Sequence, residues 1–387
     1  MSILAVESFR LAPDDQYPLF VTAKRYRYRQ KDASQQSAPT WKGKRREHDV
    51  RGEHDANRRH RPAPTLIVLH STSFHKETWE ATLETLFRLH YDAQHNACSP
   101  EARFDIEEAW AIECPNHGES ASMNAHVLSR PPYETEFGCR GYAQAIHRFL
   151  TRGPVLFSDR TLVGVGHSLG ANSLLLLQDL LSRDSVQFRS LILAEPMVNP
   201  GGPDNLDELR TRLVGAARRR KDSWESREAV RRFLRGRVGG GDKEGKGKWD
   251  ERVIEAFSNF GVRAVPPDGS TSSTGVLRQQ KFVLACTRQQ EEVMYTDDDG
   301  STAPVEALGR ISWRLPVHLI LGVVKDFIPA HVHDTLIDPA SSRRYASIAK
   351  ISDVGHLIPQ EKPGPLAVAI HQALVLDFGR LCQRSKL

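Results

Sequence analysis

Short, dense apolar runs punctuate the chain, each closed by turn residues, and between them apolar positions recur three or four residues apart. The runs are "PTLIVLHS", "EEAWAIECPNHGES", Thr161–Gly166, "FRSLILAEPM", "PVHLILG" and "YASIAKISDVGH". Runs this compact predict strands buried on both faces, the kind found in parallel sheets. Two further strand-like runs open the chain, near Ala5–Leu11 and Leu19–Tyr28. Helical spacing is expected over Glu77–Leu89, in "YAQAIHRFL", and directly after Ser168. Strands alternating with helices predict an α/β fold, a mostly parallel sheet covered by helices on both sides.

One interval departs from the alternation. Between Pro196 and Leu315 the chain is basic and helical in pattern, with Leu206, Leu209, Leu213 and Ala217, then Ala229, Val230, Phe233 and Leu234, supplying an apolar stripe. A helical cap over residues 201–310 is therefore expected, inserted between the strands near 195 and 316 of a core formed by 1–200 and 311–387. Sites in open α/β sheets lie outside the carboxyl ends of the strands, which such a cap would cover. Residues 30–64 read as a charged surface loop.

Composition narrows the setting. In 387 residues, 39% hydrophobic and 26% charged, no apolar stretch approaches the roughly 18 residues of a membrane span, and "MSILAVESFR" lacks the pattern of a secretory signal. A soluble intracellular protein without an integral membrane segment is expected. Cys98, Cys114, Cys139, Cys286 and Cys382 are scattered without metal-ligand spacing and read as free thiols. The formal charge of +5 concentrates in two places, Trp41–Pro62 and Arg210–Lys248. The "KGKRRE" run from Lys42 has no interleaved aromatics and is diluted by Glu47, Asp49, Glu53 and Asp55, so nucleic acid is not an expected partner. The last residues, Ser385-Lys386-Leu387, spell the peroxisomal import address, which predicts binding by the import receptor and residence in the peroxisomal matrix.

The chemistry centres on Gly166-His167-Ser168-Leu169-Gly170, a G-x-S-x-G run between a strand and a helix. A turn that tight favours glycine on either side of the serine, lifts the hydroxyl from the sheet, and aims free helix N–H groups at charge forming beside it. A serine needs a base to take its proton. His356, on a Gly-His turn after the last strand, has the best position of sixteen histidines. The base needs an acid: Asp326 is favoured by the chain order Ser168, Asp326, His356, and Glu195, ending "LILAE", is the alternative.

With "HSTSFHKETW", "ECPNHGES", "GHSLG", "GVVKDFIP" and "VGHLIPQEKP" the chain resembles the α/β-hydrolase superfamily over most of its length. "SFHKETWE", "RRRKDSWESREAVRRF" and the terminal "SKL" are similar to fungal peroxisomal hydrolases, a group that includes a yeast peroxisomal lipase and hydrolases of host-selective toxin biosynthesis. The resemblance implies a Ser-His-acid hydrolase that needs no cofactor or metal. It also implies an oxyanion hole formed by the N–H of Leu169 and one from the loop after His70, where Thr72 or Ser73 matches and Ser71 replaces the usual glycine. The "ECPNHGES" turn, with His117, Gly118 and Ser120, reads as structural and near the rim of the site.

The expected reaction is hydrolysis of a carboxylic ester or acyl lipid, a small-molecule substrate, through an acyl-enzyme. The alternatives are an acyl-CoA thioester, whose acidic group the basic segment would attract, and carbon–carbon bond hydrolysis in secondary metabolism. Epoxide hydrolysis of the superfamily type is disfavoured because serine occupies the place of its aspartate nucleophile. A catalytically silent binding module on the same fold is the non-enzymatic alternative.

Overall fold

A computed structural model describes residues 3–29, 62–95, 104–182, 185–200, 206–238, 248–265, 280–297 and 299–379. Most of the charged loop, Cys98, Cys382 and the terminal Ser385-Lys386-Leu387 lie outside the described residues.

The strands are β1 (Leu4–Leu11), β2 (Val21–Tyr28), β3 (Thr65–Leu69), β4 (Glu108–Ile112), β5 (Leu162–His167), β6 (Phe188–Ala194), β7 (Ser223–Trp224), β8 (Val262–Val265), β9 (Lys281–Leu284), β10 (Val317–Gly322) and β11 (Ser347–Ile351). Eight of them form one sheet in the order β1-β2-β4-β3-β5-β6-β10-β11. Only β1/β2 and β2/β4 are antiparallel; every pair from β4 to β11 is parallel.

Residue alternation explains the three layers. Along β3, Leu66 and Val68 enter one apolar core while Ile67 and Leu69 enter the other, and all four are buried. The helices Cys139–Arg152, Leu169–Leu177 and Asp299–Ile311 cover one face, and Glu80–His95 and Pro363–Phe378 cover the other. At the sheet edge the demand relaxes, and β1 alternates between more and less exposed positions. Register brings the strand ends into line: Leu69 pairs with Gly166, Gly166 with Leu193, and His167 with Ala194. The residues that follow these strands, His70, Ser168 and Glu195, therefore emerge along one edge.

The segment between β6 and β10 is helical as expected at Asp207–Arg219, Arg227–Val238 and Glu251–Ala256, but it also holds a three-stranded antiparallel sheet, β7-β9-β8. Trp224, Val230, Leu234, Ile254, Phe257, Val262 and Leu284 form its own apolar cluster, which Phe74 joins from the loop after β3. The helix Asp299–Ile311 packs Ala307, Leu308 and Ile311 into the main core.

Candidate functional site

Ser168 stands at the turn between β5 and the helix Leu169–Leu177 with φ 53° and ψ −116°, a left-handed conformation that a serine adopts only under constraint. The glycines permit it. A Cβ on Gly166 would lie 2.6 Å from the Ala171 nitrogen, and one on Gly170 would lie 2.4 Å from the Leu69 carbonyl oxygen. The turn is thus pressed against the end of β3, and the Ser168 N–H donates to the Ala194 carbonyl at 3.0 Å.

The hydroxyl meets a base. Ser168 Oγ is 3.0 Å from His356 Nε2, and both residues are buried. On the other side of the ring, His356 Nδ1 is 3.3 Å from Glu195 Oε2. The structure therefore brings together the serine, the histidine and the alternative acid. The favoured acid, Asp326, stands elsewhere: its exposed carboxylate accepts the backbone N–H groups of His356 at 2.9 Å and of Phe327 at 2.7 Å, meeting the main chain of His356 and not its ring. Chain order could not separate the two, because both acids fall between Ser168 and His356. What separates them is that Glu195 directly ends β6, the strand beside β5, in a positive-φ conformation of 45°.

Glu195 is held ionised. Burial alone would raise its pKa, but contacts from His333 and His356 outweigh burial and bring it down to about 2. The Gly322 N–H donates to Oε1 at 2.6 Å, and His333 Nε2 faces Oε2 at 3.3 Å. Lys325 Nζ donates to His333 Nδ1 and, at 3.1 Å, to the Gly322 carbonyl. With Nδ1 accepting, the remaining proton of a neutral His333 sits on Nε2, toward the carboxylate. His333 carried no recognisable motif in the sequence, and Lys325 stood within "GVVKDFIP" with no part assigned to it. His167, the variable residue inside the glycine-serine run, donates from Nε2 to the His356 carbonyl at 2.8 Å; burial lowers its pKa to about 3.

Two more buried histidines fix the loop after β3. His70 Nδ1 donates to the Ser71 carbonyl at 2.9 Å while its Nε2 accepts from the Cys114 N–H at 3.0 Å. His117 Nε2 accepts the Ser73 N–H at 2.9 Å, with Nδ1 donating to Asn116 Oδ1 at 2.6 Å. Burial pushes the pKa of His70 down to about 3 and that of His117 well below its ordinary value, so both are neutral, as these bonds require. The left-handed residue of the loop is Ser73, at φ 72°. Of the two candidates for the second oxyanion donor, Ser73 has already committed its N–H to His117, whereas Thr72 lines the cavity beside Ser168. Leu169 is the first residue of its helix, where the N–H has no intrahelical acceptor. The "ECPNHGES" turn thus acts on the site through His117.

A cavity of about 320 Å³ opens over Ser168 and His356, walled by Phe74, Trp224, Trp249 and Phe257 and floored by the loop Ser71–Ser73. Among its polar groups, Arg220 contacts Glu291 Oε2 at 2.8 Å, and Ser73 Oγ donates to Glu291 Oε1, tying the loop after β3 to the inserted segment. Other arginines of the basic stretch are also partnered, Arg218 with Glu292, Arg231 with Glu255 and Arg235 with Glu251. These four pairs neutralise part of that charge locally. Among the described residues no group of three His, Cys, Asp or Glu side chains is placed to hold a metal ion, and no helix is long and apolar enough to cross a membrane. Cys114, Cys139 and Cys286 are buried free thiols whose pKa values burial raises.

Comparison with known proteins places this geometry in context. A family model described as the Alpha/beta hydrolase family matches residues 66–369. The type I acyl-CoA thioesterase mpaH of Penicillium roqueforti is 26% identical over 215 residues, 53% of this chain and only 41% of that relative's length. Among solved structures, the peroxisomal alpha-beta-hydrolase Lpx1 of Saccharomyces cerevisiae superposes with a TM-score of 0.62 at 16% identity, covering 97% of this chain and 89% of that one. The esterase Rv0045c of Mycobacterium tuberculosis gives a TM-score of 0.53 at 15% identity, over 96% and 91% of the two chains.

Proposed function

The chain belongs to the alpha/beta hydrolase family and is a hydrolase, and from that premise we propose that it cleaves a carboxylic ester or related acyl substrate with Ser168 as nucleophile, His356 as base and Glu195 as the acid that orients it. The observation that carries this reading is the buried chain of contacts from Ser168 Oγ through the His356 ring to Glu195, 3.0 and 3.3 Å long. Ser168 attacks the acyl carbon as His356 Nε2 takes its proton, and Glu195 stabilises the resulting imidazolium. The N–H groups of Leu169 and Thr72 receive the oxyanion, each worth about 3 to 4 kcal/mol in comparable sites. His356 then passes the proton to the leaving group, and water releases the acyl group by the same route.

Ser168→Ala is expected to fold normally and to lose both turnover of a chromogenic ester and covalent labelling by a fluorophosphonate. Labelling that persists in the variant would overturn the assignment. A thioester is the second reading, favoured by the partial likeness to an acyl-CoA thioesterase.

The terminal Ser385-Lys386-Leu387 supports import by the peroxisomal receptor, in keeping with the fold shared with a peroxisomal hydrolase. Deleting those three residues should release a fluorescent fusion to the cytosol; unchanged organellar residence would refute it.

A further inference from the structure

Ser168 lies at the junction of two cavities of different size and lining. The first is the aromatic cavity of about 320 Å³; the second, about 80 Å³, has Leu206, Leu209 and Met294 in its lining together with the polar Asn172, Arg210 and Asp297. Both are bordered by Thr72 and Ser168, with Met197, Leu213 and Tyr295 between them. His356 borders only the large cavity, and Leu169 only the small one.

The chemistry of acyl transfer assigns an occupant to each. In the tetrahedral intermediate the oxyanion points at the N–H groups of Leu169 and Thr72. The leaving oxygen must reach the proton on His356 Nε2, since the C–O bond breaks as that proton arrives. The leaving group therefore lies on the side His356 borders, and the acyl chain turns to the other. At the roughly 30 Å³ that each water occupies in the liquid, the small cavity of about 80 Å³ holds about three water-sized groups, which suits an acyl chain of a few carbons. The large cavity has four times that room, and its Trp and Phe walls suit a flat, conjugated ring system.

Resting on the serine-hydrolase reading, we propose that the substrate is a short-chain acyl ester of a bulky aromatic alcohol: the small cavity selects the acyl group and the large one binds the alcohol. Ser168 Oγ forms the new bond to the acyl carbon, the ester C–O bond breaks, and the Oγ proton leaves through His356 on the aromatic alcohol. Water then frees the short acid.

The test uses the full-length protein and esters whose alcohols are of similar acidity, so that size and not reactivity varies. 2-(1-Naphthyl)ethyl acetate should exceed ethyl acetate in kcat/KM by about 10-fold or more, and extending the acyl group of the naphthylethyl ester from butanoyl to octanoyl should cost about 10-fold or more. Leu209→Ala, which widens the small cavity, should raise the octanoyl-to-acetyl ratio. Octanoyl esters cleaved as fast as acetyl esters, with no gain from the naphthyl ring, would overturn the assignment of the cavities while leaving the hydrolase reading intact. The same acyl preference with acetyl-CoA and octanoyl-CoA but no gain from the naphthyl alcohol would overturn the aromatic-alcohol half. If no ester is cleaved in a Ser168-dependent way, the hydrolase reading falls, and this proposal with it.

Discussion

Two carboxylates attend the same histidine, and they do opposite things. Glu195, at the end of β6, is buried, meets the His356 ring and the Gly322 N–H, and has a pKa drawn down to about 2. Asp326, four residues beyond β10, is exposed and accepts two backbone N–H groups, one of them that of His356. One acts on the ring's charge and tautomer; the other shapes the loop that carries the ring. Proximity to a histidine is thus no guide to a carboxylate's part. The atom it contacts and its burial are.

Substitution separates the two. Glu195→Ala should lower kcat by about 10³- to 10⁴-fold, since an imidazole without its acid partner loses both orientation and compensation for the charge it gains. Asp326→Asn keeps an oxygen to accept the same N–H groups and should change kcat by less than about 3-fold. Steady-state kinetics on one ester would decide, and a loss at Asp326 matching that at Glu195 would reverse the assignment.

The smallest expected effect sharpens the contrast through Glu361, which borders the large cavity. Burial, and then the charge of Asp326, raises its pKa from 4.5 to about 7. Between those values the folded protein holds a proton that the unfolded chain has released, so this residue's contribution to stability declines as pH rises from 4.5 through 7. Asp326→Asn should shrink that decline by under about 1 kcal/mol, because both groups are partly open to solvent. Urea midpoints of the two proteins at pH 5 and pH 8 would measure it, and a variant that loses ground to the native protein at pH 8 would contradict it.

Much of the framework was legible because it is local. "PTLIVLHS" and "TLVGVGHSLG" announce strands buried on both faces, and the serine turn declares itself by the steric need for Gly166 and Gly170, which the close approach of Leu69 explains. The Gly-His turn singles out His356, and its ring lies beside Ser168. Which carboxylate meets that ring was not legible, because choosing between Glu195 and Asp326 depends on which strand end faces an imidazole contributed 161 or 30 residues later in the chain. The same limit hid His333, whose partners Glu195 and Lys325 are neighbours only in space, or lie on a loop without repeating pattern. The strands of the insertion, two to four residues long, are too short to show a period. The basic run was visible, but its acidic partners on other helices were not.

His70 and His117 grip the loop after β3 only while each keeps one nitrogen free to accept an N–H. Since burial defers their protonation to strong acid, the fastening of that loop is indifferent to the swings of acidity a cell compartment undergoes. The loop that borders Ser168 can then keep its shape wherever both rings stay neutral, and a return from mild acid asks no refolding of it.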